Sequence, residues 1–171
     1  YRIDFENDAS ASAPAQWVTV TDPLSPDLDW STFRLTEVHF GDHFIAVPGN
    51  LQHYETTVPM TYGGQTLEVR IEAGLHVATG EVYARFQSVN PTNGLPPSVD
   101  IGFLPPEDGT GRGQGSVSYL IQPFPGLPTG REVRNVALIV FDQQETIATN
   151  QKDPHHPEQG TDPEKEALVT I

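Results

Sequence analysis

The stretch "TLEVRIEAGLHVATGEVYARFQSV", Thr66–Val89, decides the fold class. Leu67, Val69 and Ile71 alternate with Glu68, Arg70 and Glu72. "ATGE" then supplies a turn, and Val82, Ala84 and Phe86 alternate with Tyr83, Arg85 and Gln87. A strand sends successive side chains to opposite faces, so this period of two predicts a pair of strands with one buried face and one wet face.

The same pattern continues outward. "GSVSYLIQP" offers Val117, Tyr119 and Ile121 on one face, and "YRIDFEN", "QWVTVTD", "FRLTEVHF", "HFIAVP", "YETTVPMTY" and "ALVTI" read as further strands. Turn chemistry separates them in "TDPLSPD", "PGN", "NPTNGLPP" and "PEDGTGRGQG", while the paired glycines of "YGGQ" predict a two-residue hairpin of the primed type. "REVRNVALIVFD" is apolar on both faces and is expected to be the central, most buried strand. "DASASAPAQ" has room for one helical turn, limited by Pro14. About nine or ten short strands at this spacing predict an all-β sandwich, with a barrel as the alternative.

Composition agrees. The chain has 171 residues, enough for a single domain spanning 1–171. Hydrophobic residues are 36%, below the roughly 45–50% of globular chains, while 15 glycines and 16 prolines break the sequence into short apolar runs. The formal net charge of −14 repels phosphate backbones and anionic lipid, so neither nucleic acid nor membrane insertion is expected. An excess of carboxylates suits hard cations such as calcium, and equally suits solubility outside cells. With no cysteine, disulfides, thiolate zinc sites and cysteine nucleophiles are excluded. No apolar run approaches the length of a membrane span, and the chain opens on "YRIDFEND" without a leader, so it reads as a module of a longer polypeptide.

In "VRNVALIVFDQQETIATN", the residues Asn135, Ala137, Ile139, Phe141, Asp142, Ile147, Thr149 and Asn150 fall on a recognisable pattern. It resembles the stretch that closes the Ig-like conserved-repeat domains of large bacterial surface and secreted proteins. "YRIDFENDASASAPAQWVTVTDPLSPDLDW" resembles their opening strands, and "GQGSVSYLIQP" with "GLPTG" fits the middle. Gln144 and Thr146 depart from the pattern, where Asn and Pro are expected. The resemblance implies an Ig-like, Greek-key β-sandwich that is secreted or at the cell surface, in a family of mostly unassigned function, with no catalytic residues to carry over.

Candidate sites follow from residue chemistry. In the loop Asp153–Glu166, Asp153, Glu158, Asp162 and Glu164 are candidate ligands for a structural calcium ion, against the plainer reading of a solvated acidic loop. Asp22, Asp27 and Asp29 form a second oxygen cluster, which also fits turn-capping by Asx side chains. Trp17, Trp30, Tyr54, Tyr62 and Tyr83 are candidates for stacking on sugar rings, weighed against ordinary packing. His155 and His156 are adjacent, so they point opposite ways in an extended chain and do not make the His-x-x-x-His of a zinc peptidase. "GTGRGQG" lacks the Gly-Lys-Ser/Thr ending of a phosphate loop and reads as a flexible turn. The only lysines, Lys152 and Lys165, lie in the polar loop, which argues against an isopeptide cross-link. The expectation is a non-catalytic extracellular module, a spacer, adhesion or accessory domain, whose partners are polysaccharide or neighbouring domains. The alternative is a carbohydrate-binding module of a polysaccharide-active enzyme.

Overall fold

A computed structural model describes all residues, Tyr1–Ile171. Twelve strands follow in order: β1 (Arg2–Glu6), β2 (Trp17–Pro23), β3 (Leu28–Phe40), β4 (His43–Ala46), β5 (His53–Tyr62), β6 (Gln65–His76), β7 (Glu81–Val89), β8 (Gln114–Pro123), β9 (Glu132–Asn135), β10 (Leu138–Phe141), β11 (Ile147–Ala148) and β12 (Ala167–Thr170). Two short 3₁₀ turns, Pro157–Gln159 and Pro163–Lys165, interrupt the acidic loop. "DASASAPAQ" carries no helix.

All pairings are antiparallel. A four-stranded sheet in the order β1-β8-β3-β4 faces a six-stranded sheet in the order β11-β10-β2-β7-β6-β5, and β12 and β9 form a small third sheet. Neighbours distant in sequence, such as β1 with β8 and β2 with β7, require the long crossings of Greek-key connection. The hairpin at Tyr62↔Gln65 has Gly63 at φ 57° and Gly64 at φ 76°. Both central residues are therefore left-handed, the type I′ geometry that matches strand twist and that glycine adopts without strain.

The alternation at Thr66–Val89 places its apolar set inside. Leu67, Val69, Ile71, Val82, Ala84 and Phe86 are all buried, in one continuous cluster with Leu35, Val38, Phe40 and Val117 of the opposing sheet. Aromatic edges join the layers: Phe5 meets Phe86 at 5.2 Å and Phe40 meets Phe103 at 5.5 Å between ring centroids. Phe103, with Ile101 and Leu104, comes from a connection outside every strand, docked on the segment before β2 by Ala15 N–H to Leu104 O at 2.8 Å.

"REVRNVALIVFD" is not one central strand. Pairing with β12 ends at Asn135, and pairing with β2 begins at Leu138. Val133, Asn135, Ala137 and Ile139 are buried, whereas Leu138 is 36% exposed and Val136 and Val140 are only half-buried. Apolar residues on both faces reflect a strand that changes partner, with no second layer covering its outer side. Splitting this segment and adding the two-residue β11 raises the strand count above nine or ten.

One polar bridge crosses the core. Asp22, fully buried on β2, accepts from the Tyr119 hydroxyl of β8 at 2.5 Å and from Asn135 Nδ2 of β9 at 2.8 Å. Burial pushes the Asp22 carboxyl above its ordinary range, against the two donors, which favour the charged form. A carboxyl whose folded pKa is raised binds more protons in the native than in the unfolded chain, so its contribution to stability falls as pH rises above about 4. Asp22→Asn removes that contribution. Its stability relative to wild type is predicted to rise between about pH 4 and pH 7, measured by denaturant melts at each pH; a gap that stays flat or shrinks contradicts the assignment.

Candidate functional site

The residues of β1 alternate in what their backbone groups face. Tyr119 N–H donates to Tyr1 O and Asn7 N–H donates to Gly113 O, so Tyr1, Ile3, Phe5 and Asn7 turn their backbone groups toward β8. Arg2, Asp4 and Glu6 turn theirs the other way and find no partner elsewhere in the chain. β1 is thus a free sheet edge.

Beside that edge runs a groove of about 1340 Å³. Its far wall is β10 and the hairpin to β11, its floor includes Ile3, Phe5, Ala15, Ala137 and Ile139, and one end is closed by the acidic loop. There His155 Nε2 lies 3.3 Å from the Asp8 carboxylate. Asp4, Glu6, Asp8, Asp142 and Glu145 outnumber Arg2 and Lys165 around it.

The candidate calcium ligands are held separately. Asp153 accepts from His155 N–H at 2.9 Å, Asp162 caps the second 3₁₀ turn by accepting from Glu164 N–H at 2.9 Å, and Glu158 lies 3.1 Å from His156. No three of Asp153, Glu158, Asp162 and Glu164 bring their oxygens within 4.8 Å of one another. The second oxygen cluster does not assemble either. Asp22 is in the core bridge, Asp27 pairs with Arg131 at 2.7 Å, and Asp29 holds Ser31 through its hydroxyl at 2.6 Å and its N–H at 3.1 Å. Asp22 points into the core from β2, whereas Asp27 and Asp29 are only half-buried around the start of β3, so closeness in sequence does not carry over to space.

The aromatic candidates divide. Trp30, Tyr54 and Tyr62 pack against the core cluster. Tyr83 does lie on the outer face of β7, but it is 6% exposed, with His76 stacked on it at 4.2 Å and Arg85 over its ring at 5.2 Å. Trp17 alone offers an open indole, 37% exposed, with Nε1 donating to Thr19 at 2.6 Å.

The residues that carry the resemblance have structural work here. Asn135 enters the core bridge, and Asp142, at φ 49°, accepts from the N–H groups of Gln16 and Trp17 at 3.0 and 2.9 Å. Thr149 exchanges bonds with Ala137, donating N–H to its carbonyl and accepting its N–H on Oγ1. The glycine-rich turn surrounds an anion of its own. Glu107 accepts from Gly109 and Gly111 N–H on Oε1 at 2.6 and 2.8 Å, and from Gly113 N–H on Oε2 at 2.8 Å. Glycines two, four and six residues after a glutamate are the readable sign of this nest, and an empty phosphate loop is not what it forms.

These donors hold the Glu107 carboxyl below the usual range, the Gly111 N–H contributing most. A depressed carboxyl pKa contributes stability that is complete above the unfolded pKa and fades as pH falls through the folded one. Glu107→Gln is therefore predicted to lower the melting midpoint at pH 7, the gap closing below about pH 4. A gap that is independent of pH contradicts the nest's role. Comparison with family models, with curated proteins and with solved structures finds no match to this chain.

Proposed function

We propose that the chain is a non-catalytic extracellular β-sandwich module, a spacer, adhesion or accessory domain, that holds an extended segment of a partner domain along the free edge of β1. The observation that carries this is the row of outward backbone groups at Arg2, Asp4 and Glu6 beside an apolar-floored groove. A strand laid there gains main-chain hydrogen bonds, and alternate side chains enter the groove, the mode called β-augmentation. The acidic rim selects an occupant with Lys or Arg between its apolar residues. It also disfavours a second copy of a chain of net charge −14. The resemblance to surface-protein repeat domains and the acidic composition, which suits solubility outside cells, support the extracellular assignment. Calcium belongs to this reading only as a stabiliser of the acidic loop, and a chelator that leaves the melting midpoint unchanged removes it.

Asp4→Pro tests the edge. It deletes an outward N–H that β8 does not use, at a position where an edge strand tolerates proline. The expected result is a nearly unchanged melting midpoint with loss of binding to peptides alternating Val or Ile with Lys, whose wild-type binding shifts the amide resonances of Asp4 and Glu6. Peptide binding unchanged in Asp4→Pro, or absent in wild type, overturns the proposal. Retention on insoluble polysaccharide that is lost in Trp17→Ala would favour the carbohydrate-binding alternative, which rests on that single open indole.

A further inference from the structure

At the opposite edge of the six-stranded sheet, the outer faces of β5, β6 and β7 bring His53, Glu55, Glu72 and Tyr83 together. His53 and Glu55 are two apart on β5 and share its outer face, and Glu72 stands directly opposite Glu55 on β6. Gly74 leaves the assembly room: a Cβ there would sit 3.0 Å from the Gln52 carbonyl, 3.1 Å from the Tyr83 hydroxyl and 3.2 Å from His53 Nδ1, tight enough that these neighbours would have to shift.

The hydrogen bonds have a direction. Glu72 Oε1 only accepts, so the Tyr83 hydroxyl, 3.2 Å away, donates to it. The same hydroxyl lies 2.9 Å from His53 Nδ1 and, its proton committed, accepts from an Nδ1–H. In the neutral ring that tautomer leaves a lone pair on Nε2, which faces Glu55 Oε1 at 3.0 Å. Two acceptors at that distance repel unless a positive charge lies between them, which either a proton on Nε2, making a His53–Glu55 ion pair, or a metal ion supplies. The directly opposed Glu55 and Glu72 add a like-charge pair across the strands. Arg85 reaches only the other oxygen of Glu72, at 3.4 Å.

We propose that this cluster is a divalent transition-metal site of the zinc class, with His53 Nε2, Glu55 and Glu72 as ligands and Tyr83 as the positioning residue. An imidazole with two carboxylates is a donor set suited to zinc, and a ligating histidine ordinarily donates its other N–H to a fixed acceptor, the part Tyr83 plays. Ligand atoms about 2.0–2.2 Å from a tetrahedral zinc lie roughly 3.3–3.6 Å apart. The three candidate atoms already lie within 4.8 Å of one another. A fourth position faces solvent, so the bound metal is open to an external ligand.

Calorimetric titration of the full chain with zinc chloride tests this. Wild type is expected to bind one equivalent saturably, and zinc is expected to raise its melting midpoint reversibly with chelator. His53→Ala and Glu55→Gln each remove that binding while remaining folded, Glu55→Gln without loss of metal-free stability because it relieves the opposed charges. Tyr83→Phe weakens affinity about tenfold or more. The double variant His155→Ala/His156→Ala binds as wild type does. No saturable binding in wild type, binding that survives His53→Ala, or binding that is lost in the His155/His156 variant overturns the proposal.

Discussion

Three sheets meet at one buried carboxyl. Asp22 belongs to the six-stranded sheet, Tyr119 to the four-stranded sheet and Asn135 to the small third sheet, and they are separated by 97 and 113 residues of chain. Apolar packing between two sheets is non-directional, and a strand that slips by two residues keeps the same face inward. A hydrogen-bonded bridge does not tolerate such a slip, because a buried donor or acceptor left without its partner costs about 1–3 kcal/mol. Asp22 Oδ1 and Asn135 Oδ1 remain without partners, so the bridge exchanges some stability for a defined register.

The bridge also determines where the sandwich stays open. Asn135 is the last residue of β9, and three residues later the chain is running beside β2 as β10. That change of partner carries β10 and β11 along the six-stranded sheet, while β1 ends the four-stranded one with no strand between them. The groove is the space left by that mismatch of edges. Natural proteins usually blunt such an edge with charge or cover. Arg2, Asp4 and Glu6 supply charge on the outward side chains of β1, but its backbone groups on that side remain available.

Much of the fold was legible because strand alternation is local. Thr66–Val89 needed only its own residues to reveal its buried face, and the Tyr62–Gln65 turn only its two glycines. What was not legible depended on distant partners. Asp22 looked like a turn residue because Tyr119 and Asn135, which draw it into the core, are far along the chain. "REVRNVALIVFD" looked buried on both faces because periodicity does not report a change of strand partner at Val136. Ile101, Phe103 and Leu104 carry no periodic signal because they fill the core from a segment outside every named strand. Of the site, Tyr83 was placed on the correct face of its strand, but the cross-strand register that brings it to His53 and Glu72 emerges only from folding. The open edge of β1 was likewise invisible to composition, since exposure of a backbone group depends on which strand is absent beside it.

β1 is a free edge held in register from one side only. Amide hydrogen exchange resolved by residue tests this most directly. In the protein alone, the N–H of Phe5 is predicted to be protected by β8 while those of Asp4 and Glu6 on either side exchange rapidly, and addition of a bound strand slows both. Equal protection of Asp4, Phe5 and Glu6 in the unbound protein would mean that the edge is already covered, and would contradict the account.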